Sequence, residues 1–376
     1  MQSYPQSLAI AGAWGYIGRK FLDVAQRRRI PLFVHDPGPL PDDIDRERMT
    51  VVADAETFYR LEVDLYHLAM HPQHRGPALE TLLARRDASS LAVLNEKPMA
   101  APEEPQQCGE LVQAVQRAGP LLLFDFPELF DPLTTRILDY LGRFRELRIT
   151  DLYLRRSKDR EDRQNPRNYK PMVPIQYQES VHCLAFVLYL LARLRGDTAA
   201  VFQDGLTVAG HSQPYQPPNP EIYPYVVDGR CEYQLSLGTL RIEGITDFKT
   251  GAPGVKQRVI WGSGDGIPFH IEVDFQEGRK RLVINGIDQT GDPAANSYEH
   301  VLRTVTRWRR ERSRDELMTA IYPHPAFARL TYQLSSLLWR ACRDGQPLRI
   351  TSQDELLNFN AHFLSGEPIR SLPGTL

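Results

Sequence analysis

Residues 1–125 alternate short apolar runs with helical segments, and this alternation restricts the folds open to the chain. The apolar runs predict strands, and they are "SLAIAG", "PLFVHD", "VDLYHLAM", "LAVLNE" and "PLLLFDF". The segments between them have helical periodicity and include "GRKFLDVAQRR", "GPALETLLARR" and "QQCGELVQAVQRAG". Repeated strand–helix–strand units predict a parallel sheet with helices on both faces. We therefore expect an α/β domain over residues 1–125.

Residues 126–376 have a different pattern, in which strands dominate around a buried helix from Gln178 to Leu194. The predicted strands are "RELRITDLYLRR", "AAVFQDGLTV", "CEYQLSLG", "TLRIEGITDF", "KQRVIWGSG", "FHIEVDF" and "KRLVING", and "SLGT" and "EGRK" have the form of hairpin turns. This order predicts an α+β domain, an open and mainly antiparallel sheet with helices on one face. Apolar spacing from Phe327 to Ala341 and the capping-box form of "SQDE" predict C-terminal helices, which could pack back on the first domain.

Three glycines at three-residue spacing lie between the first strand and the first helix, in "LAIAGAWGYIGRKF". Glycine permits a tight turn and a close backbone approach to a phosphate, and a helix N-terminus attracts a pyrophosphate. The loop predicts a dinucleotide site, and a plain strand-to-helix turn is the alternative. The predicted cofactor-binding residues here are Gly12, Ala13, Trp14, Gly15, Tyr16 and Ile17.

Asp36 ends the second strand, "PLFVHD". A carboxylate at this point can accept hydrogen bonds from the adenosine ribose hydroxyls, and it repels a 2′-phosphate. The sequence therefore predicts NAD as the cofactor in preference to NADP. The alternative is a turn aspartate before Pro37.

"LAVLNEKPMA" places Glu96, Lys97 and Pro98 directly after an apolar strand. Ligands bind at the carboxyl edge of such sheets, so Lys97 is a candidate for holding a substrate hydroxyl during hydride transfer. Glu96 is either a supporting partner or a surface charge. The structural alternative is a strand-to-helix turn with a surface ion pair.

The glycine loop, the "HPQH" turn from His71 to His74 and "NEKPMA" together resemble the glucose–fructose oxidoreductase/inositol dehydrogenase family (Gfo/Idh/MocA-like). Glucose-6-phosphate dehydrogenase shares the Glu-Lys-Pro element and is a weaker match. The resemblance implies a Rossmann domain joined to an open antiparallel-sheet domain. It also implies that Lys97 lies near nicotinamide and substrate as a catalytic residue, and that His71 and Glu96 contact the cofactor.

The same family has an Asp-x-x-x-His signature at the start of a helix in its second domain, and "QYQESVHCLAFVLYLL" stands where it is expected. The resemblance implies that His182 is the catalytic acid/base and lies at the substrate, a role that suits a histidine pKa. The signature's aspartate is replaced by Gln178, and the adjacent Glu179 could substitute for it. With Lys97 and His182, Gln178 and Glu179 are therefore predicted substrate-binding residues. The alternative is that His182 is a core residue.

A charged loop, "RRSKDREDRQNPRNYK", precedes that helix. Loops in this position commonly close over substrate, so Tyr169 and Lys170 are candidate substrate contacts. A solvated loop without a ligand is the alternative.

Composition excludes several other classes of protein. A formal net charge of −2 argues against a nucleic-acid binder, and the basic segment Arg303–Arg314 is better explained as a solvated helix face.

No run is long enough for a membrane span, and no signal peptide or metal-binding motif is found. The 4 cysteines are widely spaced, which is typical of a reducing compartment. We therefore expect a cytoplasmic protein.

These observations predict an NAD(P)-dependent oxidoreductase acting on a hydroxyl or keto carbon of a sugar, cyclitol or sugar phosphate. The loss of the signature aspartate at Gln178 favours a second hypothesis, a non-catalytic dinucleotide-binding regulator of the same fold. A large sheet with helices on one face leaves its other face open, so we also expect a homodimer or homotetramer.

Overall fold

The computed structural model describes residues 3–158, 173–215, 227–248, 254–292 and 296–361. The chain divides into two compact units. The first comprises Met1–Asp131 and Asn296–Arg329, and the second comprises Pro132–Ala295 and Leu330–Leu376. The segment Asn296–Arg329 therefore groups with the N-terminal part of the chain.

Strands and helices alternate in the first third of the chain, and strands dominate after it. In chain order the strands are β1 (Leu8–Ala11), β2 (Leu32–His35), β3 (Thr50–Val51), β4 (Leu65–Leu68), β5 (Ala92–Glu96), β6 (Leu121–Asp125), β7 (Leu147–Ser157), β8 (Leu206–Tyr215), β9 (Val227–Leu237), β10 (Leu240–Asp247), β11 (Lys256–Gly264), β12 (Ile267–Asp274), β13 (Arg281–Ile284), β14 (Ile287–Asp288) and β15 (Leu348–Ile350). The helices are α1 (Tyr16–Arg27), α2 (Ala55–Tyr59), α3 (Pro72–Leu83), α4 (Gln106–Ala118), α5 (Pro132–Leu141), α6 (Val181–Arg195), α7 (Ala199–Phe202), α8 (Ser297–Glu311), α9 (Arg314–Leu317), α10 (Pro325–Asp344) and α11 (Gln353–Leu357).

The first unit contains a six-stranded parallel sheet in the order β3-β2-β1-β4-β5-β6. Every residue of β1, β4, β5 and β6 is buried, as expected for strands covered on both faces. This confirms the predicted Rossmann-type sheet. Because all its strands are parallel, their carboxyl ends meet at one edge, where ligands bind in sheets of this type.

The second unit contains a nine-stranded sheet in the order β14-β13-β12-β11-β7-β10-β9-β8-β15. Its only parallel pair among the described residues is β7 with β10, and the other pairs are antiparallel. Exposed and buried residues alternate along β10, so one face of the sheet packs on a core and the other faces outward. The mainly antiparallel sheet is therefore confirmed.

Two sequence predictions in the second unit need correction. Residues Ala199–Phe202 form α7 and β8 begins only at Leu206, so the strand predicted from "AAVF" is wrong. The buried helix predicted from Gln178 begins with a π-helical turn over Gln176–Ser180, and regular α-helix follows from Val181. A short apolar run such as "AAVF" fits either a helix or a strand, so its pattern alone does not decide between them. Within the described parts of the chain, no helix has both the length and the apolar character that a membrane crossing requires.

We predict that Gly18→Ala lowers the free energy of unfolding by about 1–3 kcal/mol, because a Cβ at Gly18 would lie 2.2 Å from the Gly12 carbonyl oxygen. Gly109→Ala in α4 is the matched control, since the added Cβ meets only the Arg329 guanidinium, at 3.8 Å or more. This control should gain up to ~1 kcal/mol of helix propensity. Urea unfolding of both variants tests the prediction, and equal changes would contradict it.

Candidate active site

The glycine loop between β1 and α1 is shaped by close backbone packing. Gly12 has a φ of +78°, a conformation that favours glycine, and a Cβ there would lie 3.0 Å from the Met70 backbone nitrogen. Gly15 is the N-cap of α1 and donates its N–H to the Gly12 carbonyl at 3.2 Å. Gly18 packs the first turn of α1 against that same carbonyl.

The N-terminus of α1 suits an anion. The first N–H groups of a helix lack intrahelical acceptors, and the helix dipole places partial positive charge beside them. No acidic side chain lies in the first turn of α1, and its N-cap residue, Gly15, has no side chain that could cap the helix. Ala13 is fully buried, so its backbone rather than its side chain would serve a ligand, while Trp14 and Ile17 are half-buried and Tyr16 is exposed. These features fit a bound dinucleotide pyrophosphate.

Asp36 links the end of β2 to the glycine loop. Its Oδ2 accepts the Trp14 backbone N–H at 3.0 Å, and its Oδ1 accepts the Gly38 backbone N–H at 2.9 Å. The Trp14 indole N–H in turn donates to the Gly38 carbonyl at 3.2 Å. Each carboxylate oxygen has more than one lone pair, so the two backbone bonds leave capacity for ribose hydroxyls. The Gly38 bond has the form of an Asx turn, as the turn-aspartate alternative predicts, and the Trp14 bond in addition ties Asp36 to the glycine loop.

At the ends of β4, β5 and β6 lies a group that we call the strand-end cluster, formed by His67, Glu96 and Asp125. His67 Nε2 lies 3.1 Å from Glu96 Oε1, and Asp125 is paired directly with Glu96 between β5 and β6. All three residues are buried, with Glu96 only 8% exposed. The surface-charge alternative for Glu96 is therefore wrong.

Lys97 follows the strand-end cluster directly and is half-buried. Arg75 of α3 fixes the backbone next to Lys97. Arg75 is 3% exposed, and its Nη2 donates a hydrogen bond to the Pro98 carbonyl at 2.7 Å. Burial lowers the pKa of Arg75 to about 10, an effect that Glu96 opposes, so Arg75 remains charged at neutral pH. Arg75 and Lys97 thus place two positive charges near the buried carboxyls of the strand-end cluster.

Burial raises the pKa of Asp125 well above its ordinary value. The neighbouring carboxyls of Glu96 and Glu128 raise this pKa further, and the Lys97 ammonium lowers it. Like charges that share a buried site cannot all ionise without a large cost in free energy.

His71 lies elsewhere on the first unit's parallel-sheet edge. It is the N-cap residue of α3, it is exposed, and its backbone carbonyl accepts the His74 N–H at 2.9 Å. It follows β4 as the glycine loop follows β1, so it lies at the carboxyl edge of the same sheet.

In the second unit, Glu179 lies in the π-helical turn before α6 and is fully buried. Its Oε2 accepts the Arg156 Nε–H at 2.6 Å, and its Oε1 lies 2.7 Å from Lys158 Nζ. Both cations come from the end of β7 and the residue that follows it. The carboxylate predicted as a substitute for the missing aspartate is therefore engaged in a buried ion-pair network. π-helical turns of this kind are frequent at functional sites.

His182 lies in the first turn of α6 and is 4% exposed. Gln178 is half-buried in the preceding π-helical turn, and Ser180 Oγ lies 2.7 Å from Thr246 Oγ1 of β10. The predicted substrate contacts Tyr169 and Lys170 lie outside the described residues.

Sequence reasoning missed His67, Asp125, Arg75 and Arg156. A signal existed for two of them, because His67 and Asp125 each interrupt or end an apolar run, "LYHLAM" and "LLLFDF", at the ligand-binding edge of a parallel sheet. Arg75 and Arg156 carry no such signal, since their partners come from other segments.

No protein-family model and no curated protein sequence matches the chain. Solved structures do match it. The myo-inositol dehydrogenase from Corynebacterium glutamicum superposes with a TM-score of 0.62 at 12% identity, over 92% of this chain and 98% of that chain. UDP-N-acetylglucosamine 3-dehydrogenase GnnA from Acidithiobacillus ferrooxidans gives 0.63 at 12% identity, over 90% and 98%.

A third match is a super-repressor mutant of Gal80p from Saccharomyces cerevisiae, with a TM-score of 0.69 at 11% identity, over 95% of this chain and 100% of that chain. At such identities the likeness establishes the fold. The chain therefore has the fold of the glucose–fructose oxidoreductase/inositol dehydrogenase family, as its motifs predict.

We predict that Glu179→Gln lowers the free energy of unfolding by about 3–5 kcal/mol, because it leaves buried cationic charge without its carboxylate. Glu56→Gln is the control. The Glu56–Arg60 pair on α2 has side chains 72% and 75% exposed, and such pairs contribute about 0.5 kcal/mol or less. Denaturant unfolding of the two variants measures the difference, and a Glu179→Gln loss as small as the control's would contradict the network's structural role.

Proposed function

We propose that this chain is an oxidoreductase that transfers hydride between NAD(H) and a hydroxyl-bearing or keto carbon of a sugar, cyclitol or sugar phosphate. One observation carries the proposal: the carboxyl edge of a single parallel sheet bears the glycine loop, the loop-bound Asp36 and the Glu96–Lys97 strand end. Binding groups for both halves of a dinucleotide and an ammonium for the substrate thus share one edge. The dehydrogenases among the structural neighbours support the same class of reaction.

In this proposal each residue has a defined task. Backbone N–H groups of residues 12–17 hold the pyrophosphate, Asp36 accepts from the ribose hydroxyls, and His71 and Glu96 lie on the nicotinamide side. The bound nicotinamide supplies the hydride acceptor or donor. Lys97 orients the reacting oxygen, and His182 takes the proton of the alcohol during oxidation and returns it during reduction.

The proposed substrate contacts are Lys97, Gln178 and His182, together with Tyr169 and Lys170. Glu179 would support them from its ion pairs with Arg156 and Lys158, which fix the turn that carries Gln178. We also propose that the protein forms a homodimer or homotetramer through the outward face of its nine-stranded sheet.

We predict tighter binding of NAD than of NADP, because the Asp36 carboxylate repels a 2′-phosphate. Asp36→Asn keeps an oxygen acceptor for the loop N–H groups but removes the charge. It should narrow the ratio of the two dissociation constants by about tenfold, equivalent to ~1.4 kcal/mol. Asp23→Asn removes a charge from the exposed face of α1, where Asp23 pairs with Arg27, and should leave the ratio unchanged. Tighter NADP binding by the unaltered protein would contradict the assignment of Asp36.

We predict that Lys97→Ala leaves the melting temperature and NAD affinity nearly unchanged while turnover falls. His182→Ala should lose on the order of 10²–10⁴ in rate, the usual effect of removing a proton-transfer group. The double variant should lose much less than the product, because residues that act as one unit are non-additive. Single-turnover hydride transfer and thermal unfolding are measured on the same three variants.

Two outcomes of that experiment decide against the assignments. A lower melting temperature with unchanged turnover in His182→Ala would identify His182 as a packed core residue. Full activity in Lys97→Ala would end the oxidoreductase proposal for this site.

A second candidate function is a dinucleotide-binding regulator without catalysis. Two observations favour it: Gln178 replaces the signature aspartate, and the fold is shared with a protein named as a super-repressor. The two functions differ in one measurement. A regulator would bind NAD(H) at the glycine loop without changing its redox state in the presence of any member of a polyol panel.

A further inference from the structure

Two cysteines of the second unit, Cys231 and Cys342, are far apart in the sequence but in contact in the structure. Cys231 lies on β9 and Cys342 lies near the C-terminal end of α10, and their Sγ atoms are 3.6 Å apart. Both are buried and present as free thiols. Cys108 and Cys183 make no such contact with another sulfur among the described residues. Tertiary structure thus places one pair of thiols within reach of a covalent bond.

The neighbouring strand fixes the place of the Cys342 sulfur. Gly210 on β8 has no side chain, and a Cβ built there would lie 2.6 Å from Cys342 Sγ. The sulfur therefore occupies a notch that glycine leaves open, beside the strand that carries Cys231. A disulfide has an S–S length of about 2.0 Å, so bond formation requires the sulfurs to approach by about 1.6 Å. The two side chains share this approach, so neither backbone segment has to move by the whole distance.

Cys231 also adjoins the π-helical turn that precedes α6. The turn begins at Gln176, whose side chain is fully buried and interacts with the Cys231 thiol. Gln176 in addition donates from Nε2 to Asp228 Oδ2 at 3.3 Å, and Asp228 lies on the same strand as Cys231. The start of the turn is thus fixed against β9 at the position of the thiol.

Helix α10 is anchored to the same turn. The Tyr177 hydroxyl donates to Ser336 Oγ at 2.9 Å, and Ser336 lies on α10 less than two helical turns before Cys342. A covalent bond between α10 and β9 would therefore join two elements that both hold the turn. Because Gln178 follows Tyr177 directly, a displacement of the turn would reach a residue that we propose contacts the substrate.

The surroundings of the pair determine its reactivity. Burial raises the pKa of the Cys231 thiol well above its ordinary value, and the neighbouring Cys342 and Asp228 raise it further. The thiolate is the reactive form of cysteine, so an isolated thiol in this position would be inert. Cys342 is 5% exposed and Cys231 is fully buried, so a small oxidant reaches Cys342 first. The Cys231 sulfur is then already in contact with the oxidised sulfur, and this proximity offsets its low fraction of thiolate.

We propose that Cys231 and Cys342 form a reversible redox modification site, which hydrogen peroxide oxidises to a disulfide between β9 and α10. The Cys342 sulfur attacks one peroxide oxygen, the O–O bond breaks, and the leaving hydroxide takes up the thiol proton as water, which leaves a sulfenic acid. The Cys231 sulfur then attacks the Cys342 sulfur, the S–O bond breaks, and the second thiol proton departs with the hydroxide as water. The two sulfurs together lose two electrons, and the peroxide gains them.

The disulfide changes a contact that fixes the turn. The Cys231 sulfur moves toward Cys342 and no longer carries a thiol proton, so its interaction with Gln176 is weakened. A displacement of about 1 Å at a residue that positions substrate can cost on the order of 10²-fold in rate. Only part of the sulfur displacement reaches Gln178, so the expected decrease in turnover, which rests on the proposed function, is about tenfold.

The first experiment detects the bond without catalysis. The full chain is treated with hydrogen peroxide under native conditions, alkylated, digested without reduction and analysed by mass spectrometry. Peptides joined through Cys231 and Cys342 should form within hours, and dithiothreitol should restore both thiols. Cys108→Ser removes a buried thiol of the first unit and should leave the joined peptides unchanged.

Matched variants identify the two partners. Cys231→Ser and Cys342→Ser should each abolish the joined peptides. Failure of the joined peptides to form in wild type, or peptides joined through Cys108 or Cys183 instead, overturns the proposal. If a serine variant does not fold, the peptide map of the wild-type protein decides.

The second experiment measures the effect on the turn. Backbone amides of Gln176–Ser180 should exchange hydrogen faster in the oxidised protein than in the reduced protein, while those of β5 should be unchanged. Single-turnover hydride transfer should fall about tenfold on oxidation and recover with dithiothreitol, and peroxide should not alter the rate of Cys342→Ser. Unchanged exchange at the turn, or an equal loss of rate in Cys342→Ser, overturns the coupling of the disulfide to the turn.

The two proposals fail in different ways. If the reduced protein transfers no hydride with any polyol, the proposed function fails, while the peptide map and the hydrogen exchange still decide on the disulfide and its effect on the turn. If the reduced protein is active and no joined peptides form, the redox site is overturned and the proposed function stands.

Discussion

The register of β4, β5 and β6 is the constraint on which the first unit's site depends. Parallel pairing brings the carboxyl ends of these strands to one edge and aligns Glu96 directly with Asp125. Because both faces of the sheet are covered, polar residues at these strand ends are buried and must satisfy one another. The chain direction after β5 then places Lys97 beside buried charge, and Arg75 fixes the backbone there through the Pro98 carbonyl.

In the second unit, an ion-pair network compensates the charge of a buried carboxylate. Glu179 is fully buried, and Arg156 and Lys158 both contact it from the end of β7 and the residue after it. A buried ion-pair network of this kind is stable only when it is complete, since removal of one member leaves an uncompensated charge. The network fixes the π-helical turn at the start of α6, and the helix that carries His182 is buried from Val181 to Ala192.

The fold alone does not separate a dehydrogenase from a regulator, because solved structures of both kinds superpose on this chain. The distinction comes from the site. The glycine loop, Asp36, His71 and Glu96 are all proposed to hold the dinucleotide. The buried Asp125 carboxyl, whose oxygen lies within 4.8 Å of the ligand atoms of His67 and Glu96, has no such task. Buried groups with strongly shifted pKa values concentrate at functional sites. The strand-end cluster therefore favours chemistry at this edge.

Local patterns in the sequence were sufficient for much of the architecture. The parallel-sheet rhythm, the glycine loop, the end of β2 at His35 before Asp36, and the hairpin at Gly238 all depend on residues close together in the chain, so their periodicity and turn chemistry are readable without a structure. The apolar run of α6 likewise identified a buried helix. Local patterns failed at Ala199–Phe202, where an apolar segment forms a helix that its pattern does not distinguish from a strand.

The sequence by itself thus determined the class of sheet, the position of the glycine loop and the lysine at a strand end. Only the tertiary structure decided which polar residues meet. His67, Glu96 and Asp125 are about thirty residues apart from one to the next, and their contact requires a particular strand register. The ion pair between Arg156 and Glu179 similarly requires the turn before α6 to pack against the end of β7. Such contacts are long-range and depend on the burial of the surrounding apolar surface, which no local pattern encodes.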